Sequence, residues 1–185
     1  MAGYIQVITG SMFSGKSQEL SRLIERALIA QLSVAVFYPR LASRGSARDI
    51  EKRLQGLNGT LQIFGVPAEN AQSMLAMITS AIDVVAIDEA QFFTQELVAV
   101  VKRLRHDGKR VFVAGLDLDY QENPFGCMGD LMCLADNIVK VHAVCTGCRT
   151  ADAVISFRLT HESDRVVVGE NHYTALCVSC YDHAR

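Results

Sequence analysis

Residues 4–20 read YIQVITGSMFSGKSQEL, and this stretch decides the fold. Its first six residues are a short run rich in strand-forming side chains, and the run stops at Gly10. From about Lys16 the apolar residues Leu20, Leu23, Ile24, Leu28 and Ile29 recur near helical spacing, through about Ala30. Between the two lies GSMFSGKS, residues 10–17: a glycine, four residues, then Gly-Lys-Ser. Strand, glycine loop, helix is the order that a phosphate-binding loop requires. Gly10 and Gly15 permit backbone angles and a close approach that a Cβ would block. The N–H groups of the loop, through Ser11, Met12, Phe13 and Ser14, can then point at phosphate oxygens. Lys16 adds a mobile positive charge and Ser17 a hydroxyl for Mg²⁺. A chance match in a strand-to-helix turn is the competing reading, and the placement between strand and helix disfavours it.

Working outward, VAVFYPR (34–40) reads as a second strand and LQIFGVP (61–67) as a third. The polar stretch between them reads as a long loop with a helical turn or two. AENAQSMLAMITSAI reads as a helix with Met74, Met77 and Ile78 on its buried face, and QELVAVVKRLRHDG as an amphipathic helix ending at Gly108. DVVAID (83–88) has the continuous apolar character of a central strand covered on both faces, and RVFVAGLD (110–117) is another central strand. DNIVKVHAVC runs a last strand into a cysteine pair. Alternating strands and helices from 4 to 144 predict a mainly parallel sheet with helices on both faces. Beyond Cys145 the character changes to short β-like runs, AVISFRLT and DRVVVG. The expected organisation is α/β: a P-loop NTPase-type domain over 1–141 and a small β domain over 142–185.

An acidic residue directly after a buried strand sits at the carboxyl end of a parallel sheet, beside the phosphate loop. Asp88 fits there as a partner of Mg²⁺ or its waters, with Gln91 grouped beside it on the cofactor side. Glu89, one residue on, can reach a nucleophile and accept a hydroxyl proton. Either carboxylate can also cap the helix that follows. Phe92 and Phe93 leave two readings open: both in the core, or one in the core and the other lining a pocket. Met12 suggests an apolar ligand surface near the phosphates.

Cys145-x-x-Cys148 and Cys177-x-x-Cys180 are separated by 28 residues, and two such knuckles meeting in space make a four-thiolate Zn²⁺ site. A closed four-thiolate shell has no open position for water, so that zinc is structural. Redox-active disulfides and simple buried cysteines are the weaker readings. Cys127 and Cys133 lack paired spacing and read as core residues, and His142, His172 and His183 as bystanders.

A net charge of −2 and a pI near 6.2 argue against broad attraction to nucleic acid or an anionic membrane. The opening MAGYIQVITG has neither a basic n-region nor a long apolar h-region, and no apolar run approaches the roughly 20 residues needed to cross a bilayer. The expectation is a cytoplasmic protein.

Taken in order, GSMFSGKS, IDEAQFF, GLDLDYQENPFG, VCTGC and HYTALCVSCY resemble the cellular-type thymidine kinases, and the resemblance spans nearly the whole chain. It implies transfer of the γ-phosphate of ATP, with Mg²⁺, to the 5′-hydroxyl of thymidine or deoxyuridine. It also implies a zinc domain whose lasso loop closes over the nucleoside, a homotetramer, and feedback inhibition by thymidine triphosphate (dTTP). Glu89 resembles the catalytic base, and Lys16, Ser17 and Asp88 the phosphate and magnesium positions. Met12, Phe92, Leu116, Tyr120 and Phe125 resemble residues that enclose the base, with Val166 and Tyr173 in the lasso. The chain departs from the family pattern at residues 42–59, where Arg44, Arg48 and Arg53 compete as the phosphate-facing arginine, and at Tyr120, which stands where the family has Phe. A helicase-type P-loop ATPase and a nucleotide-binding regulator are the alternatives; a short, acidic chain without a second motor domain disfavours the first.

Overall fold

In the computed structural model, which describes residues 3–41, 50, 52–54, 59–160 and 169–184, every position of VVAI (84–87) is buried. An apolar run without alternation is satisfied only when both faces of its strand are covered. Six strands achieve this together: β1 (Tyr4–Thr9), β2 (Val34–Pro39), β3 (Leu61–Val66), β4 (Val84–Ile87), β5 (Arg110–Gly115) and β6 (Asn137–Lys140). Their order is β3-β2-β4-β5-β1-β6, and every neighbouring pair is parallel.

Alternate residues of the strands β1 to β5 feed two different cores. Val84, Ala86, Phe112 and Ala114 pack with Leu20, Ile24, Ala27 and Leu28 of α1 (Lys16–Ile29). Val85, Ile87, Val111 and Val113 pack on the other face, against α2 (Ser73–Met77), α3 (Glu96–His106) and α4 (Met128–Leu134). Truncating a fully buried member such as Leu97 to Ala costs about 2–5 kcal/mol. α3 carries Glu96 in its first turn and Arg103, Arg105 and His106 in its last, matching the helix dipole. It stops at Gly108, whose φ of 78° lets Gly108 N–H reach Arg105 O and Lys109 N–H reach Leu104 O.

Three expected elements differ. The helix anticipated over the residues after Pro67 shrinks to the five of α2, with Met74 fully buried and Met77 and Ile78 only partly. Ile78 turns extended (φ −92°, ψ 105°) and ends α2, and the carbonyls of Thr79, Ser80 and Ile82 beyond it accept from Lys109 Nζ. The single strand expected to lead into the first cysteine pair is broken: Val141 N–H bonds Thr9 O at 2.8 Å, and the chain then leaves the large sheet. α4 was not legible, because seven residues give too short a periodic signal. Cys127 is core as expected, but Cys133 is exposed on the outer face of α4 and does not belong to the core.

The chain that leaves forms two small antiparallel pairs: β7 (Ala143–Val144) with β8 (Asp152–Ala153), and β9 (Ile155–Arg158) with β10 (Tyr173–Leu176). A short α5 (Val178–Ala184) follows. These elements close over their own cluster, which includes Ala143, Ile155, Leu176 and Tyr181, with Phe157 edge-on to Tyr181. Arg44, Arg48, Val166 and most of the run DRVVVG lie outside the described residues, while Arg53 is described and exposed.

Candidate active site

The phosphate loop joins β1 to α1 and needs its glycines. Gly10 has φ 143°, and a Cβ there would meet Val141 O at 2.0 Å; Gly15 has φ 88° and opens α1 without a side-chain cap. Phe13 also adopts a positive φ of 63°. The first N–H groups of α1 therefore face the loop, the arrangement that favours an anion. Inside the loop, Lys16 Nζ donates to Ser11 O and Ser14 Oγ donates to the same carbonyl, each at 2.7 Å. Burial pulls the Lys16 ammonium below its ordinary value, while the carboxylates of Glu89, Asp88 and Asp117 oppose that shift.

Those carboxylates stand just past the ends of β4 and β5, the latter the neighbour of β1. Asp88 is buried, its N–H bonded to Phe37 O and its Oδ1 accepting from Glu89 N–H at 2.9 Å. Glu89 has φ 52° and ψ 41°, a left-handed conformation that costs a non-glycine residue on the order of 1 kcal/mol or more. Its carboxylate is held by Gln91, whose Nε2 donates to Glu89 Oε2 at 2.5 Å while its Oε1 accepts from Leu116 N–H at 3.0 Å. Gln91 is only 2% exposed, so its amide ties the end of β4 to the end of β5. Small residues make room: a Cβ on Gly115 would lie 2.8 Å from Gln91 Oε1, and one on Gly126 would lie 2.2 Å from Gln91 O.

The loop after β5 carries the next residues. Asp119 Oδ1 accepts from Gln121 and Asn123 N–H, each at 3.0 Å, and Phe125 N–H bonds Asp117 O at 2.9 Å. This local turn chemistry presents Tyr120 and folds Phe125 back, edge-on to Phe92 with centroids 5.8 Å apart. Phe93 is core, whereas Phe92 is only half-buried, so the two neighbours face different surroundings. Asp117 is further held by Lys140 Nζ at 2.7 Å.

The smaller unit touches the phosphate loop directly. Ser11 Oγ donates to Ala153 O, and Met12 N–H donates to Ser156 Oγ, both at 3.0 Å. Arg158, two residues further along β9, reaches Tyr120 and Tyr173. Ser156, Arg158, Asp117 and Lys140 were not singled out from the sequence. Asp117 had a signal, a second carboxylate after a buried strand; the others had none.

The four cysteines converge, with their sulfurs all within 4.8 Å of one another. Tetrahedral zinc with Zn–S near 2.3 Å sets sulfurs about 3.8 Å apart, so the cluster fits that ion. Gly147 allows the first knuckle to close, since a Cβ there would lie 2.9 Å from Cys180 Sγ. Cys148 is held down to about 6, chiefly by the Thr150 hydroxyl, and Cys145 is lowered by N–H groups of Cys177 and Cys148. Cys180 is pushed up to about 12, chiefly by its contacts with Cys177 and Cys145. Four thiols packed this closely repel one another once ionised, and a cation among them relieves that repulsion. No histidine joins the cluster among the described residues: His142 faces Asp152 at 3.5 Å, and His183 Nδ1 lies 2.6 Å from Ser179 O.

A parallel sheet, a glycine loop running into a helix, and carboxylates just past the ends of β4 and β5 define a P-loop nucleotide-binding protein. In keeping with that fold, the flagellar accessory protein FlaH of Methanocaldococcus jannaschii superposes with a TM-score of 0.54 at 18% identity, covering 74% of this chain and 70% of that one. Sequence comparison narrows the class: residues 3–181 match the thymidine kinase family model. The chain is 43% identical to the thymidine kinase of Porphyromonas gingivalis over 180 residues, 97% of this chain and 85% of the relative. It is 42% identical to that of Bacteroides thetaiotaomicron over 184 residues, 99% and 89% of the two chains, and 44% identical to that of a Rhodothermus species over 184 residues, 99% and 83%. The chain belongs to the thymidine kinase family.

Proposed function

We propose that this protein transfers the γ-phosphate of ATP to the 5′-hydroxyl of thymidine and of deoxyuridine. The observation that carries the mechanism is Glu89: a carboxylate held in a left-handed turn by Gln91, beside the buried ammonium of the phosphate loop. Phosphoryl transfer asks a protein mainly for positioning and charge. Glu89 orients the 5′-hydroxyl and takes its proton as the hydroxyl oxygen bonds the γ-phosphorus and the bond to the bridging oxygen of ADP breaks. Lys16 and the N–H groups of the loop offset the phosphate charge. Ser17 and Asp88 are the residues that would hold Mg²⁺, which when bound neutralises charge on the phosphates. Met12, Phe92, Leu116, Tyr120 and Phe125 enclose the base, with Tyr173 from the smaller unit. Selectivity for thymine and uracil over cytosine follows if backbone groups grip the base, because the cytosine amino group places a donor where an acceptor is expected.

The same reading includes a division near residues 141 and 142, supported by the separate core of the smaller unit, and structural zinc on Cys145, Cys148, Cys177 and Cys180. It includes a homotetramer, feedback by dTTP and a cytoplasmic location; no helix among the described residues is long and apolar enough to cross a membrane. The deciding experiment is ATP-dependent phosphorylation of thymidine, deoxyuridine, deoxycytidine and deoxyguanosine by the purified protein beside Glu89→Gln. The expected result is product from the first two alone, with kcat in the variant lower by about 10²–10⁴-fold and ATP affinity nearly intact. ATP hydrolysis without any nucleoside product would sink the reading.

A further inference from the structure

Arg158 stands at the junction of the two units with no motif around it. It is 7% exposed, the last residue of β9, and directly across from Tyr173 of β10. Its Nη2 donates to the Tyr173 hydroxyl at 2.8 Å, and its Cζ lies 3.6 Å from the centroid of the Tyr120 ring and 5.3 Å from that of Tyr173. Taking a guanidinium out of water is costly, and the cost is offset only where its plane and its N–H groups are both used. Here the plane lies over one ring and the edge bonds the hydroxyl of another. A cation over an aromatic face gains more as the site is desolvated.

The two rings come from different units. Tyr120 is presented by the loop after β5, braced through Asp119, whereas Tyr173 begins β10 of the smaller sheet. Residues two apart on a strand share a face, so Ser156, which accepts from Met12 N–H, and Arg158 both point from β9 toward the larger unit. One face of one short strand thus reaches the apolar residue of the phosphate loop and both tyrosines. Lysine cannot replace this: an ammonium is a single point of charge and does not stack on one ring while bonding the next at a fixed angle.

We propose that Arg158 is a positioning residue that locks Tyr120 and Tyr173 together as one wall of the nucleoside pocket, setting affinity for nucleoside and leaving affinity for ATP alone. It rests on the reading of those two tyrosines as pocket residues. The test is steady-state kinetics of Arg158→Lys, Tyr173→Phe and the double variant, with zinc content and melting temperature measured alongside. Arg158→Lys is expected to raise the thymidine KM about tenfold or more while kcat and the ATP KM stay within about twofold. Tyr173→Phe is expected to raise it by about three- to fivefold, and the double variant to fall within about twofold of Arg158→Lys, because both changes break the same contact. A folded, zinc-loaded Arg158→Lys protein whose thymidine KM is unchanged would overturn the proposal. So would a parallel rise in the thymidine and ATP KM values, which a merely structural residue would give. If the wild-type protein phosphorylates deoxycytidine in place of thymidine, the substrate reading fails, and the same comparison made with deoxycytidine decides the role of Arg158. A wild-type protein that phosphorylates none of the four nucleosides overturns both.

Discussion

In the proposed site, the phosphate side comes from one stretch, residues 10–17, while the nucleoside side draws on Phe92, Leu116, Tyr120, Phe125, Arg158 and Tyr173, which meet only in the folded chain. In the first, two glycines with φ of 143° and 88° and the N-terminus of α1 shape a phosphate cradle almost by themselves. In the second, the contacts that join its parts, Phe92 with Phe125 and Arg158 with Tyr120 and Tyr173, connect residues far apart in the chain. A local cradle is robust and easily recognised. An assembled wall depends on a few contacts between distant residues, so changing one of them alters the nucleoside side and leaves the cradle in place.

That contrast can be broken in graded ways. The largest effect should come from Gly10→Ala, which forces a Cβ to within 2.0 Å of Val141 O at φ 143°. A loss of about 2–3 kcal/mol of stability is expected, with ATP binding reduced at least about a hundredfold, checked by thermal melts and calorimetry. If ATP still binds normally, the cradle is not built as described. Stripping zinc with a chelator should come next. It should free β9 and β10 and raise the thymidine dissociation constant more than that of ATP, while hydrogen exchange rises at Met12 and at Tyr173 to Leu176. Equal weakening of both ligands would mean that the two sides are one cooperative unit.

A smaller effect is expected of Ser156→Ala, which removes the acceptor of Met12 N–H. Losing one such hydrogen bond is worth about 1 kcal/mol, so the ATP KM should rise about fivefold with zinc content unchanged. No rise would show that the phosphate loop needs no brace. The smallest belongs to Glu19→Gln on the outer side of α1. Glu19 pairs with Arg22 at 2.6 Å, and the hydrogen bond from Arg22 holds its carboxyl below the ordinary value. A depressed carboxyl stabilises the fold above its ordinary value near 4.5, and the gain is lost as pH falls through the folded-state value. The exposed pair should cost only about 0.3–0.5 kcal/mol at pH 7 and nothing in acid, with kinetics unaffected, read from urea denaturation.

Much was legible because it was local. The strand over 4–9, the helix from Lys16, the doubly covered strand ending before Asp88 and the helix stopping at Gly108 all follow from periodicity and punctuation within a few residues. The two cysteine knuckles carry their spacing on their face, and their sulfurs meet within 4.8 Å. Other expectations missed for equally physical reasons. The run after Pro67 reads as helical, yet its helix is only Ser73–Met77, and the carbonyls past its end turn to Lys109, about 30 residues away. Cys133 was placed in the core with no view of α4, whose outer face it occupies.

By itself, then, the chain order of side chains determined the glycine cradle, the acidic residues after β4 and each cysteine knuckle, which are local patterns of fewer than about ten residues, and the layered α/β class, which follows from a succession of such local patterns. The tertiary structure alone decided that Gln91 bridges Glu89 to Leu116, that Ser156 grips the phosphate loop, and that Arg158 lies over Tyr120 beside Tyr173. Those contacts join residues up to 144 positions apart, and nothing in the sequence near either end specifies its partner until the sheet has formed.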